Sequence, residues 1–331
     1  MALVAGVTAL AATIGLSILL LGLQRVFASA PTLWHNNDQD ITDTSLSVVI
    51  PAFNEANNIE GCLTHVLMSD KPCSQWDVLV VDDQSSDNTV KIAEQAIGSF
   101  ADAHHPSAAV LQAGPRPKGE RWVGKNWGCS QAMEQVKSEW VLFIDADVTL
   151  APDAIRRALH QSIHEKADLF SLAPRLTCGC LAEWMVQPIM ASLLGLGFPI
   201  LEANDPASTV AFAAGPFMLF RRDSYNSIGG HRALAGEVVE DLALARRIKE
   251  GGFRLRYVLG IDAVNLQMYA NLQALWEGWS KNWFLGLDRS ISKSLGAGGV
   301  VVLMFTLPWL LLPASLTMAC LSSHDQILWL S

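Results

Sequence analysis

Three short apolar, β-branched runs, each stopped by a polar and acidic cluster, constrain this chain more than any other feature. Residues 46–51 read LSVVIP and pass into Ala52, Phe53, Asn54 and Glu55. Residues 76–81 read WDVLVV and pass into Asp82, Asp83 and a polar run ending at Asp87. Residues 140–144 read WVLFI and pass into Asp145, Ala146 and Asp147. Uniformly apolar runs of this length are strands buried on both faces. Helical patterns lie between them, at 54–68 (Ile59, Leu63, Val66 and Leu67 on one face), at 87–97 with Asp87 as N-cap, and at 126–136. A further strand is predicted at 109–112. This alternation predicts an α/β domain, a mostly parallel sheet with helices on both faces. Ligands of such sheets bind beyond the carboxyl ends of the strands, so the three acidic clusters should share one rim. Acids after strands also serve as turn formers; Asp87 fits that role, but three clusters on one rim point to a site.

Of the 331 residues, 50 % are hydrophobic and 17 % charged, against about 25 % charged in soluble domains. The deficit points to lipid. Residues 2–23 carry no charge and are long enough to span a bilayer. A signal peptide is the rival reading, with a cleavage-like Ala28-Ser29-Ala30, but no Lys or Arg precedes the run. We expect an N-terminal transmembrane anchor over 1–25 and a second transmembrane helix over 295–321. Arg25, Arg289 and Lys293 flank the inner ends of these spans, so the positive-inside rule puts the region between them in the cytoplasm, making an integral, multi-pass protein. A third apolar stretch, 184–201, is interrupted by Gln187, Pro188 and Pro199. It is expected to lie at the interface rather than span, because spanning would separate motifs that belong to one site; a core helix is the alternative. The net charge of −9 argues against a nucleic-acid partner. None of the six cysteines forms a CxxC pair, so buried or incidental thiols are expected.

Asp145 and Asp147, one residue apart at a strand end, are placed to share a hard cation such as Mg²⁺ or Mn²⁺. Such a cation offsets the charge of a departing diphosphate. Asp83 can accept from the edge of a nucleobase, with Glu55 and the backbone near Pro51 and Ala52 closing the other side. Glu240 and Asp241 open a helix, EDLALARRIKE, that ends at Gly251-Gly252. Acids there suit the helix dipole, and one of them is positioned to act as general base on an acceptor hydroxyl. Gly215 starts an apolar strand between donor and acceptor sides. Lys125, Arg221 and Arg222 are candidate phosphate contacts, or ordinary surface charges.

Together these motifs resemble the family-2 glycosyltransferases of GT-A fold. PAFNEANNI is similar to their first-strand motif and VVDDQSSDNT to their second; DAD resembles the metal-binding DxD, and VVEDLALARRI the helix carrying the base. The resemblance covers 45–262, the expected catalytic domain. It implies a nucleotide-diphosphate sugar as donor, Glu55 and Asp83 at the nucleotide, Asp145 and Asp147 at metal and phosphates, and Asp241 as base. GKNWGCSQAM and FMLFRRDSYNSIGGH look like segments of members that glycosylate hopanoid, carotenoid or ceramide-type lipids. Processive members carry a Q/RxxRW sequence after the base; residues 273–287 read QALWEGWSKNWFLGL instead. Trp276, Trp279 and Trp283 share one helix face in an interfacial, Trp-rich segment, 263–294, with Trp276 and Trp279 on the acceptor side. The expected function is therefore inverting transfer of one sugar, UDP-glucose being the default donor, to a membrane lipid. The rivals are a processive polysaccharide synthase, a sugar-phosphate nucleotidyltransferase, whose glycine-rich phosphate loop is missing after the first strand, and a non-catalytic nucleotide-sugar-binding membrane protein.

Overall fold

The computed structural model describes residues 2–35, 42–100, 105–269, 271–287, 289–307, 310, 311, 313 and 317. The chain divides into two compact units. A sheet unit comprises Ala30–Trp184 and Phe198–Trp276; an apolar unit comprises Met1–Ser29, Met185–Gly197 and Glu277–Ser331.

Ten strands are described: β1 (Thr42–Ala52), β2 (Cys73–Asp82), β3 (Ser107–Gln112), β4 (Trp140–Ile144), β5 (Val148–Leu150), β6 (Leu169–Ala173), β7 (Arg175–Leu176), β8 (Phe217–Arg221), β9 (Leu255–Leu259) and β10 (Val264–Leu266). The main sheet has the order β3-β2-β1-β4-β8-β6-β9, and β5-β10-β7 form a small second sheet. β1, β2, β3 and β4 run parallel, β8 pairs antiparallel with both β4 and β6, and β9 is parallel to β6. The sheet is thus mostly parallel, with one reversed strand. Ala52 lies opposite Asp82, Asp82 opposite Gln112, and Ile144 opposite Phe217. The carboxyl ends of β1, β2 and β4 therefore share a rim with the start of β8.

The helices are α1 (Ala2–Ser29), α2 (Ile59–Leu67), α3 (Thr89–Ser99), α4 (Gly124–Met133), α5 (Ala154–His164), α6 (Leu181–Gly197), α7 (Ile200–Asn204), α8 (Arg222–Ser227), α9 (Glu240–Glu250), α10 (Leu272–Gly286) and α11 (Ile291–Val301). Alternation along β1 builds a core on each face of the sheet. Val48 and Ile50 join Ile59 and Leu63 of α2, Ala93 of α3 and Leu159 of α5. Val49 joins Trp127 of α4, Tyr225 of α8 and Leu244 and Ile248 of α9. α3 begins at Thr89, so Asp87 is not its N-cap; its carboxylate instead accepts from the Thr89 and Ala56 N–H groups, tying two loops together.

The sheet unit begins at Ala30, well before 45. Thr32 bridges Leu259 in parallel, the Leu33 N–H donates to the Leu259 carbonyl (2.9 Å), and the Leu33 side chain is fully buried. The buried guanidinium of Arg157 donates to the Trp34 carbonyl (2.6 Å) and to Asp262 (2.7 Å). No periodicity marks so short an edge strand.

In the apolar unit, 23 residues of α1, Val7–Ser29, have a mean hydropathy of 1.9. Among the described residues this is the one helix long and apolar enough to cross a membrane. The stretch Ile291–Thr306 is apolar but shorter, and most of the expected span 295–321 beyond 307 lies outside the described residues. α6 is a 17-residue helix with Pro188 inside it.

Candidate active site

A cleft of about 210 Å³ opens at the rim where β1, β2 and β4 end. β1 and the turn after it supply Pro51, Ala52, Phe53 and Glu55; β2 and the residue after it supply Val81 and Asp83; α4 supplies Gly124, Lys125 and Gly128; the turn after β4 supplies Asp145, Ala146 and Asp147. All six residues expected on the donor side thus line one cleft, as does Asp147.

On the β2 side, Asp83 is 5 % exposed and pairs with the Arg116 guanidinium through Oδ2, while Oδ1 is buried without a partner among the described residues. Burial holds the Asp83 carboxyl above its usual range despite Arg116. A Cβ at Gly124 would run into that carboxylate, so only glycine lets α4 start so close. Phe53 is 56 % exposed and presents a flat apolar face in the cleft. On the β1 side, the Glu55 N–H donates to the Thr89 hydroxyl (2.8 Å), and Asn58 donates to Glu55 Oε2 (2.8 Å).

The Lys125 ammonium reaches Asp145 Oδ1 at 2.7 Å and Glu240 Oε1 at 2.6 Å, joining the acids after β4 to the first turn of α9. Two contacts preset that bridge. The Val123 N–H donates to the Ala235 carbonyl (2.7 Å), and the buried Asn126 amide donates to the Leu234 (2.6 Å) and Glu237 (2.8 Å) carbonyls. Burial would depress the lysine, but Asp145 and Glu240 outweigh it and hold Lys125 well above its usual value. Lys125 therefore stays charged.

Asp241 is the other acid of this turn. The Gly215 N–H donates to its Oδ2 (3.1 Å) and the Leu242 N–H to its Oδ1 (2.7 Å). Burial, reinforced by the Glu240 charge and opposed by Lys125, pushes its carboxyl up to about 7. Glu240, in contrast, is committed to the lysine. Arg221 and Arg222 do not join the site: Arg221 lies opposite Trp140, at the far end of β4 from the rim, and the antiparallel sense of β8 carries it away. Trp276 is exposed on α10 within the sheet unit and does not line the cleft. Trp279 belongs to the apolar unit, where its indole donates to Gln187 (3.1 Å).

Asp147 provides a test of fit for a divalent cation. Its Oδ1 is buried without a partner among the described residues, and burial with the Asp145 and Glu55 charges pushes its carboxyl up to about 7. Three neighbouring carboxylates, Asp145, Asp147 and Glu55, exceed what the single Lys125 ammonium balances, and Asp147 Oδ1 is without a partner among the described residues; such a site suits a hard cation. No group of three or more His, Cys, Asp or Glu side chains at ligand geometry occurs among the described residues, so substrate phosphate and water would complete the shell.

Sequence reading missed Phe53, Arg116 and Gly124. Arg116 sits in a Pro- and Gly-rich loop whose path no pattern reveals. Gly124 does carry a signal, a glycine directly before a lysine at the start of a helix.

The mostly parallel sheet with helices on both faces is the GT-A fold. The sequence profile of the glycosyl transferase family 2 matches residues 47–229, and the chain belongs to that family. Two curated relatives are the 4,4'-diaponeurosporenoate glycosyltransferases of Staphylococcus aureus strains bovine RF122 / ET3-1 and USA300. Each is 27 % identical over 256 residues, covering 76 % of this chain and 64 % of the relative. The chain thus matches less than two thirds of those relatives' length. Among solved structures, a mannosyltransferase of Pyrobaculum calidifontis in complex with GDP-Man and Mn²⁺ superposes with a TM-score of 0.56 at 18 % identity, over 99 % of this chain and 92 % of that one; this likeness is one of fold.

Proposed function

We propose that the protein transfers a single sugar from a nucleotide-diphosphate sugar to a lipid-soluble acceptor, with inversion, using Asp241 as general base. The observation that carries this reading is a half-buried carboxylate, raised to about 7 and held by two backbone N–H groups, whose neighbour Glu240 shares Lys125 with the acid cluster after β4. The acceptor oxygen gives its proton to Asp241 as it bonds to the anomeric carbon. The bond from that carbon to the diphosphate breaks, and the electron pair leaves on the diphosphate. The free Oδ1 of Asp83 accepts from the edge of the base, and the exposed Phe53 ring stacks on it. Asp145 and Asp147 would hold Mg²⁺ or Mn²⁺, which supplies charge neutralisation at the leaving diphosphate. Lys125 keeps the acids on both sides in register. UDP-glucose is the working donor.

The lipid acceptor is supported by the apolar helix α1 and by the relatives' names, which specify a carotenoid acid. That name favours a second form of the reading, in which the attacking oxygen belongs to a carboxylate and the product is a glycosyl ester. The two forms separate on mild alkali, which hydrolyses an ester and spares a glycoside. We place the catalytic unit on the cytoplasmic face of the membrane, from Arg25, Arg289 and Lys293, with helices at both ends of the chain as anchors. The test is transfer of labelled sugar from a panel of nucleotide donors into solvent-extractable lipid. Label remaining wholly in water-soluble or insoluble polymer would contradict the reading.

A further inference from the structure

Near Asp241, and outside the lining of the donor cleft, lies a row of aromatic rings that the chemistry above leaves unused. Phe198 and Phe212 lie 5.0 Å apart between centroids with planes 30° apart; Phe212 and Tyr257 lie 5.1 Å apart and edge-on. All three residues are half-buried. The row is tied to the base by short links. Tyr257 is the strand partner of Ser171, whose hydroxyl donates to the Ala214 carbonyl (3.1 Å) and accepts from the Ala214 N–H (2.8 Å). The next residue, Gly215, donates to Asp241. Asn204 fixes the Tyr257 backbone from both directions, donating to its carbonyl (2.7 Å) and accepting from its N–H (3.0 Å). Burial pushes the Tyr257 phenol up, and the nearby Asp241 charge pushes it further, so it remains a neutral ring. A soluble, polar acceptor gives no reason to line the approach to a general base with three rings. Aromatic faces favour flat apolar groups over flexible saturated chains, through stacked and edge-on contacts.

We propose that Phe198, Phe212 and Tyr257 form the acceptor subsite, and that it takes a flat, unsaturated apolar segment whose terminal oxygen reaches Asp241. This rests on the reading of the protein as a lipid glycosyltransferase and specifies its acceptor. The linkage of these half-buried aromatic residues to Asp241 through Ser171, Ala214 and Gly215 points to that occupant.

The test uses the full chain in detergent, with all-trans-retinol as a flat polyene probe and n-decanol as a saturated competitor. Binding is followed by the enhancement of retinol fluorescence. The expected result is saturable retinol binding that decanol displaces poorly. Phe212→Ala should weaken it about tenfold or more, and Phe212→Tyr, which keeps the ring, should hold it within about threefold. Nucleotide-diphosphate binding, titrated on the same samples, reports that each variant is folded. Unsaturable retinol binding, or equal binding by wild type and Phe212→Ala, would overturn the subsite. Failure of the wild type to bind any nucleotide sugar would instead sink the transferase reading, so the two failures are distinct.

Discussion

Asp241 and Lys125 carry opposite burdens, and single substitutions separate them. Asp241→Asn keeps an oxygen for the Gly215 N–H but cannot take a proton, so kcat should fall about 10²- to 10⁴-fold with nucleotide affinity unchanged. In the wild type the acid limb of kcat/KM should lie near the raised value of about 7, because below it Asp241 is already protonated. The same shift sets a stability trend. A carboxyl raised on folding favours the native state below its unfolded value and loses that contribution as pH rises through about 7. Asp241→Asn lacks this titration, so its melting temperature relative to wild type should rise as pH goes from about 5 to 8, whatever the constant cost of losing one N–H acceptor. Lys125→Met leaves Asp145 and Glu240 without their shared cation. It should lower stability by about 1–3 kcal/mol in thermal melts and weaken nucleotide-sugar binding about tenfold or more by calorimetry. The sequence made Asp83, Asp145, Asp147 and Asp241 legible because each stands at the end of a patterned element. It could not show that Glu240 is spent on Lys125, since that pairing joins residues more than a hundred positions apart.

At the scale of elements, α9 acts at both ends. Its first turn presents Asp241 to Gly215, and in its last turn the Lys249 ammonium gathers four backbone carbonyls, those of Glu202 (3.2 Å), Ala203 (3.2 Å), Asp205 (2.8 Å) and Val210 (2.6 Å). One helix thus holds the segment 202–215 at two points. Lys249→Met should free that segment, lowering kcat/KM for the acceptor about tenfold while leaving the Kd of the nucleotide diphosphate within about twofold. The helix itself was readable, since Leu242, Leu244, Ala245 and Ile248 bury one stripe and Gly251-Gly252 end it. α4 was placed two residues late, because its start, Gly124-Lys125, is chosen by fit against Asp83 rather than by propensity. The reversal of β8 was not readable either. An apolar strand reads the same in both directions, and only its pairing with β4 and β6 fixes its sense and carries Arg221 off the rim.

At the scale of the whole molecule, the sheet unit claims residues 30–35 as its own edge. Removing residues 1–29 should leave its melting transition within about 2 °C, whereas removing 1–35 should lower it by several degrees. The longer deletion extracts the buried Leu33 and strips Arg157 of two carbonyl partners. Parallel strands, covering helices and acid rim were all legible because buried parallel sheets write themselves as unbroken apolar runs. The edge strand and the small β5-β10-β7 sheet were not, being too short to carry a period. Single-sugar transfer is tested by mixing the full chain with Mg²⁺ or Mn²⁺, radiolabelled nucleotide sugars and a total lipid extract, and then partitioning the products into solvent. Label is expected in the organic phase, one sugar per acceptor by mass spectrometry, lost with EDTA and with Asp241→Asn. Label found only in polymer, or organic label that survives Asp241→Asn, would contradict the proposed function.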